Sequence, residues 1–194
     1  MICIIRVISR DETLCEREFM NTATEIEQKN NGYRTNSPPL IIRRTFHAPV
    51  ERIWKAWSDS VLFEQWFSPR GYTIPSAKID FRVGGNYLFA MQNLEGGILT
   101  WGAGVYKEII PYSKIVYANH FSDDKGNIIS PKEAGIENWD GSGSAMVTVE
   151  LETNGYDDTT ITLTHKGIPK AVIDDCETDW GECFDKLRIL EERS

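Results

Sequence analysis

The chain has 194 residues, 41% hydrophobic and 26% charged, with a formal net charge of −8. That length supports one sizeable core and falls short of two ordinary domains. The acidic balance argues against nucleic acid or an anionic membrane as main partner, since either wants a basic face that releases counterions. No apolar run approaches the roughly 20 residues of a membrane span.

Residues 1–38 differ in texture from the rest. Met1–Arg10 has a short apolar core broken by Arg6, with no small-residue cleavage site after it, so a signal peptide is not expected. Asp11–Gln28 is polar, with Leu14, Phe19 and Ile26 loosely spaced, enough for a weak exposed helix. Met20 is a candidate natural start. Asn30-Asn31-Gly32 and Ser37-Pro38-Pro39 read as loop or linker. The expected organisation is a poorly ordered or weakly helical extension over 1–38 and one domain over 39–194.

From Leu40 the pattern sharpens. Leu40–His47 alternates as a strand, and Pro49 sits where a helix begins, its missing N–H costing nothing there. Ile53, Trp54 and Trp57 follow at helical spacing. Ser58-Asp59 can cap a second short helix whose Leu62, Phe63, Trp66 and Phe67 share a face, and Pro69-Arg70-Gly71 ends it. Strands are expected at Tyr72–Phe81, Gly85–Gln92, Leu99–Ile110 and Lys114–Phe121. Ser122–Gly143 is too long for an ordinary connection, which suggests a functional or mobile segment. Its Glu133, Glu137, Trp139 and Asp140 decorate either a solvated loop or a gate. Ser144–Thr153 and Thr159–His165 flank the hairpin signal Asn154-Gly155. The longest helix, about Ala171 to Glu191, carries an apolar stripe of Val172, Ile173, Cys176, Trp180, Cys183, Phe184, Leu187 and Leu190. Strand, two short helices, six strands and a long helix make an α+β pattern, a curved antiparallel sheet wrapped around the terminal helix.

Signals for metal, redox or phosphate chemistry are weak. Cys3, Cys15, Cys176 and Cys183 form no CxxC pair, and His165 is eleven residues from Cys176, so zinc spacing is absent. Free thiols in a reducing cytosol are the expectation. Asp80, Arg82, Gly84 and Gly85 lack phosphate-loop spacing and precede a strand, so they read as a tight turn with a local Asp–Arg pair. His47 is expected to be exposed at a strand end. His120 and His165 lie in strands, where one could point inward as a single polar hook. Glu108 and Asp80 read as buried acids or as salt-bridge partners. No cofactor and no metal site are expected.

Residues 40–192 resemble the START-like superfamily, also called SRPBCC or the Bet v allergen-like fold. The branch is the one homologous to the C-terminal domain of the heat-shock-protein-90 ATPase activator. The resemblance is carried by Arg44-Thr45-Phe46 with Ala48-Pro49 and Trp54; by Leu62 to Trp66; by Asp80, Arg82 and Gly84-Gly85; by Gly104, Glu108 and Pro111; and by Trp180, Phe184 and Leu187. Two departures stand out: Asp179 precedes Trp180 where Gly is common, and the Ser122–Gly143 loop is long. The resemblance implies a helix-grip with an apolar cavity between sheet and C-terminal helix. The aromatic density points the same way, because a sheet too curved to collapse on its helix leaves space.

Trp54, Trp66, Tyr87, Phe89, Met91, Trp101, Tyr117, His120, Phe121, Trp180 and Phe184 are the expected ligand-binding residues, with Tyr87, Phe89 and Met91 on one strand face by alternation. The expected function is a cytoplasmic protein binding an apolar, lipid- or polyketide-like small molecule, and more readily a binder than an enzyme. A polyketide cyclase or hydrolase would need polar groups converging from His120, His165, Tyr87, Tyr117 and Glu108, and no catalytic residue is assigned. Co-chaperone contact is not expected, because the extension cannot supply the activator's separate N-terminal domain. A homodimer is compatible with the pattern.

Overall fold

The computed structural model describes residues 37–192 except 98, 137, 138 and 140. The readings made for the N-terminal extension, including Met20, Cys3 and Cys15, and for Glu137 and Asp140 lie outside the described residues.

β1 (Leu40–Phe46) runs into Pro49, whose carbonyl accepts from the Arg52 and Ile53 N–H groups. Pro49 therefore stands just before helix α1 (Val50–Ser58), in extended backbone, rather than inside its first turn. The Asp59 carboxylate caps α2 (Ser60–Trp66), accepting from Val61 N at 2.9 Å and Leu62 N at 3.1 Å. Six further strands, joined by four hairpins and one long crossover, complete the sheet: β2 (Tyr72–Ile79), β3 (Asn86–Asn93), β4 (Thr100–Ile110), β5 (Lys114–Ser122), β6 (Ser144–Asn154) and β7 (Asp158–Lys166). A single turn of 3-10 helix (Lys170–Val172) leads into α3 (Ile173–Glu192).

All seven strands form one antiparallel sheet in the order β1-β7-β6-β5-β4-β3-β2, curled into a half-barrel around α3. Because directly opposed residues share a face, the register sorts the side chains. Tyr87 stands opposite Gly104, Gly104 opposite Asn119, and Asn119 opposite Ala145. That row lies on the concave face with Phe89, Met91, Tyr106, Tyr117, Phe121, Val147 and Leu163, all buried. Gly104 is glycine for lack of room: a Cβ there would sit 1.9 Å from the Ala118 carbonyl oxygen and 2.5 Å from the Tyr87 hydroxyl. Tyr87 lies across that gap and donates its O–H to Ala118 O at 3.1 Å.

α3 turns Cys176, Trp180, Cys183, Phe184 and Leu187 into the concave face, spaced three and four apart. Charged groups fix it at both edges. Arg44, on the concave side of β1, donates to Gly181 O at 3.0 Å and pairs with Asp185 at 2.9 Å. Lys186 Nζ donates to Ser68 Oγ, Pro69 O and Tyr72 O at 2.8, 3.0 and 3.0 Å, tying α3 to the α2–β2 connection. Cys183 is a free, buried thiol. Cys176 is disulfide-bonded, which corrects the free-thiol expectation at that position; pairing follows spatial approach, which sequence spacing does not reveal.

Replacing Gly104 with Ala forces the Ala118 carbonyl and the Tyr87 ring apart. We expect a loss of about 2–3 kcal/mol, read as a shift in the urea midpoint at unchanged m-value; an unshifted midpoint would contradict this packing.

Candidate functional site

The seam where the two short helices and α3 meet the concave face of the sheet is a continuous aromatic contact. Trp57 and Trp66 meet at 4.7 Å between ring centroids, and Phe63 stacks on Phe67 at 4.0 Å. Phe67 then reaches Trp180 at 5.6 Å, and Phe184 touches Phe46 at 5.7 Å. Where Trp57, Phe63, Phe67, Tyr87, Tyr106 and Tyr117 converge, about 10 Å³ remains, the room of one water molecule. The Trp57 Nε1 and Tyr117 hydroxyl atoms are buried there without a hydrogen-bond partner among the described residues. Burial raises the phenol pKa of both Tyr106 and Tyr117, so each stays a neutral O–H group.

A larger space opens at the end of the sheet where β3 leaves, β4 begins and β5 ends. This recess of about 600 Å³ is lined by Tyr72, Met91, Asn93, Leu99, Thr100, Trp101, Ser122, Asp123, Ile129 and Glu133, with small residues between them. The long crossover forms one wall. Asp123 organises its first turn, accepting from Lys125 N, Asn127 N and Asn127 Nδ2 at 2.9, 2.8 and 2.7 Å. The crossover then buries Ile136 and Trp139, with Trp139 edge-on to Phe121 at 5.4 Å. It is anchored to the core rather than merely solvated. A third space, about 330 Å³, lies on the outer face against Leu88, Ala103, His120, Lys125 and Ile128.

The eleven expected ligand residues are thus divided among five places. Trp66, Tyr87, Phe89, Tyr117, Trp180 and Phe184 belong to the seam. Phe121 supports the crossover, and Met91 and Trp101 line the recess. His120 is opposite Ala103 and hydrogen-bonds Ser144 Oγ at 2.9 Å, on the outer side. Trp54 is half-buried at the far end of the molecule, against Phe81 at 5.4 Å and Tyr112 at 5.6 Å. Alternation along β4 and β5 explains the split: Trp101 and His120 are out of phase with Tyr106 and Tyr117. Tyr72, Leu99, Ser122, Asp123 and Ile129 escaped the sequence reading; only the length of the crossover pointed toward them.

The polar candidates do not converge. His165 is buried and its Nδ1 accepts from Trp180 Nε1 at 3.1 Å. Burial lowers its pKa to about 3, so the ring is neutral. Glu108 pairs with Lys114 at 2.9 Å and is half-exposed, while His47 is exposed and pairs with Asp158 at 2.7 Å. Asp80 and Arg82 form the expected local pair at 2.8 Å. Burial pushes the Cys183 thiol up, away from nucleophilic use. Among the described residues no group of three His, Cys, Asp or Glu could hold a metal, and no helix is long and apolar enough to cross a membrane.

A half-barrel gripping a terminal helix defines the helix-grip class. The chain belongs to the family described as activator of Hsp90 ATPase homolog 1-like protein, which matches residues 47–192. Among solved structures, a crystal structure of a Chromobacterium violaceum protein is 23% identical, covering 81% of this chain and all of its own, with a TM-score of 0.66. A solution structure from Arthrobacter aurescens is 20% identical over 80% of this chain and 87% of its own, at 0.65. The AHSA1 protein of Silicibacter pomeroyi is 20% identical over 78% and 96%, at 0.62. At these identities the likeness is one of fold. No curated protein matches the chain.

His165 makes folding sensitive to acid. The unfolded ring protonates near 6.5 and the folded one only near 3. Its contribution is complete above the first value and falls as pH drops between the two, by about 1.4 kcal/mol per pH unit. His165→Gln, whose amide oxygen still accepts from Trp180, is expected to flatten the acid limb between about pH 6 and 4. Urea titrations across that range check this; parallel limbs in both proteins would refute it.

Proposed function

We propose that the protein binds an apolar small molecule of lipid- or polyketide-like character in the recess at the end of the sheet. The observation that carries this reading is the contrast in space: about 600 Å³ there against about 10 Å³ in the seam. Ligand sites commonly occupy about 300–1,000 Å³ and combine an apolar lining with a few polar groups. Tyr72, Met91, Leu99, Trp101 and Ile129 supply the lining, and Ser122 and Thr100 supply hydroxyls. Family membership supports the same reading, because the START-like resemblance implies a small-molecule site. It shifts the site from the sheet–helix seam to the strand ends. The dispersal of His120, His165, Tyr87 and Glu108 favours binding over catalysis.

The neutral dye Nile red is expected to bind saturably at one site. Leu99 is 39% exposed, so Leu99→Asp should leave the thermal midpoint unchanged. The same change should weaken dye binding about tenfold or more, the scale of one apolar side chain withdrawn from contact. Tyr117→Phe, in the seam, should leave dye affinity as it was. Absence of uptake, or sensitivity at Tyr117 instead of Leu99, would remove the recess as the site.

A further inference from the structure

The recess has a charge as well as a shape. Its only charged lining residues among the described ones are Asp123 and Glu133, and no Lys, Arg or His lines it. Both carboxylates are held below the usual carboxylate pKa. For Asp123 the chief cause is the hydrogen bond from the Asn127 side chain, and for Glu133 the one from the Ser130 hydroxyl. Glu133 takes both Ser130 bonds, at 2.7 Å each, on Oε2. Oε1 is left uncommitted among the described residues. The carboxylates are therefore ionised and held in place before any ligand arrives.

An acidic pair alone would be an ordinary solvated edge. The independent observation is Ser122, which lines the same recess, is only 2% exposed, and carries a buried hydroxyl with no hydrogen-bond partner among the described residues. A buried hydroxyl left unpaired is costly, and such groups call for an explanation. Ser122 with its unpaired hydroxyl, Glu133 with Oε1 uncommitted among the described residues, and the ionised Asp123 all line this one recess. Tyr72 and Trp101 are the residue types whose ring faces attract a cation.

We propose that the recess selects an apolar amine: a small molecule with a hydrocarbon or aromatic body against Met91 and a protonated nitrogen toward Ser122 and the two carboxylates. This rests on the apolar-ligand reading and adds the sign of the ligand's charge. The outer-face space, lined by His120 and Lys125 with no acid, serves as an internal contrast.

Three probes of one shape test it on the full chain: 1-adamantylamine, 1-adamantanol and adamantane-1-carboxylate, titrated calorimetrically at neutral pH and low salt. The amine should bind about tenfold or more tightly than the alcohol, and the carboxylate more weakly than either. The amine's advantage should shrink at an ionic strength that shortens screening to about 3 Å. Glu133→Gln and Ser122→Ala, each on its own, should reduce the amine's advantage while alcohol affinity stays within about twofold. An alcohol that binds as well as the amine, or a carboxylate that binds best, overturns the charge assignment and leaves the apolar site standing. If none of the three binds, the apolar reading fails along with it.

Discussion

The fold depends on one contact: the aromatic face of α3 pressed against the two short helices and the end of β1. Trp180 and Phe184 lie against Trp57, Trp66, Phe67 and Phe46 with centroids 5.6–6.5 Å apart. Rings at these separations in offset or edge-on arrangements add to the large apolar area each removes from water. The contact also brings distant parts of the chain together, since Phe46 and Phe184 come from its first strand and its last helix. Arg44 and Lys186 bind the helix at either side and set its position over the sheet.

Closing that seam decides where space is left. A strongly curled sheet and a helix could enclose a hollow, and here the two short helices contribute Trp57, Phe63, Trp66 and Phe67 to fill it. Gly104 admits Tyr87 flat across the sheet, which closes the concave floor further. The remaining room moves to the strand ends, where the crossover from β5 to β6 folds back. Ile136 and Trp139 hold that crossover against Phe121, so the recess has a wall fixed by core packing.

Electrostatics divide along the same line. Inside, ionisable groups are neutral or paired: His165 is kept uncharged by burial, and Glu191 is paired with Arg52 at 2.9 Å. At the recess, the acids keep their charge because the Asn127 side chain and the Ser130 hydroxyl, helped by loop N–H groups, donate to them. Charge that would be costly within the seam is affordable at its open end.

The order of elements, the capping role of Asp59, the apolar stripe of α3 and the Asp80–Arg82 turn were legible from residue spacing, because each is a short-range pattern of period two or 3.6. Spacing also showed that Tyr87, Phe89 and Met91 share a face. Alternation within β5 also sets His120 on the face opposite Tyr117, but that Trp101 points away from Tyr117 depends on the β4–β5 register, which spacing does not show. Sequence by itself determined the class of fold and the abundance of aromatic side chains. Only the tertiary structure decided whether those rings would line a hollow or fill it, because that balance rests on how closely α3 approaches the sheet, a distance that no local pattern encodes.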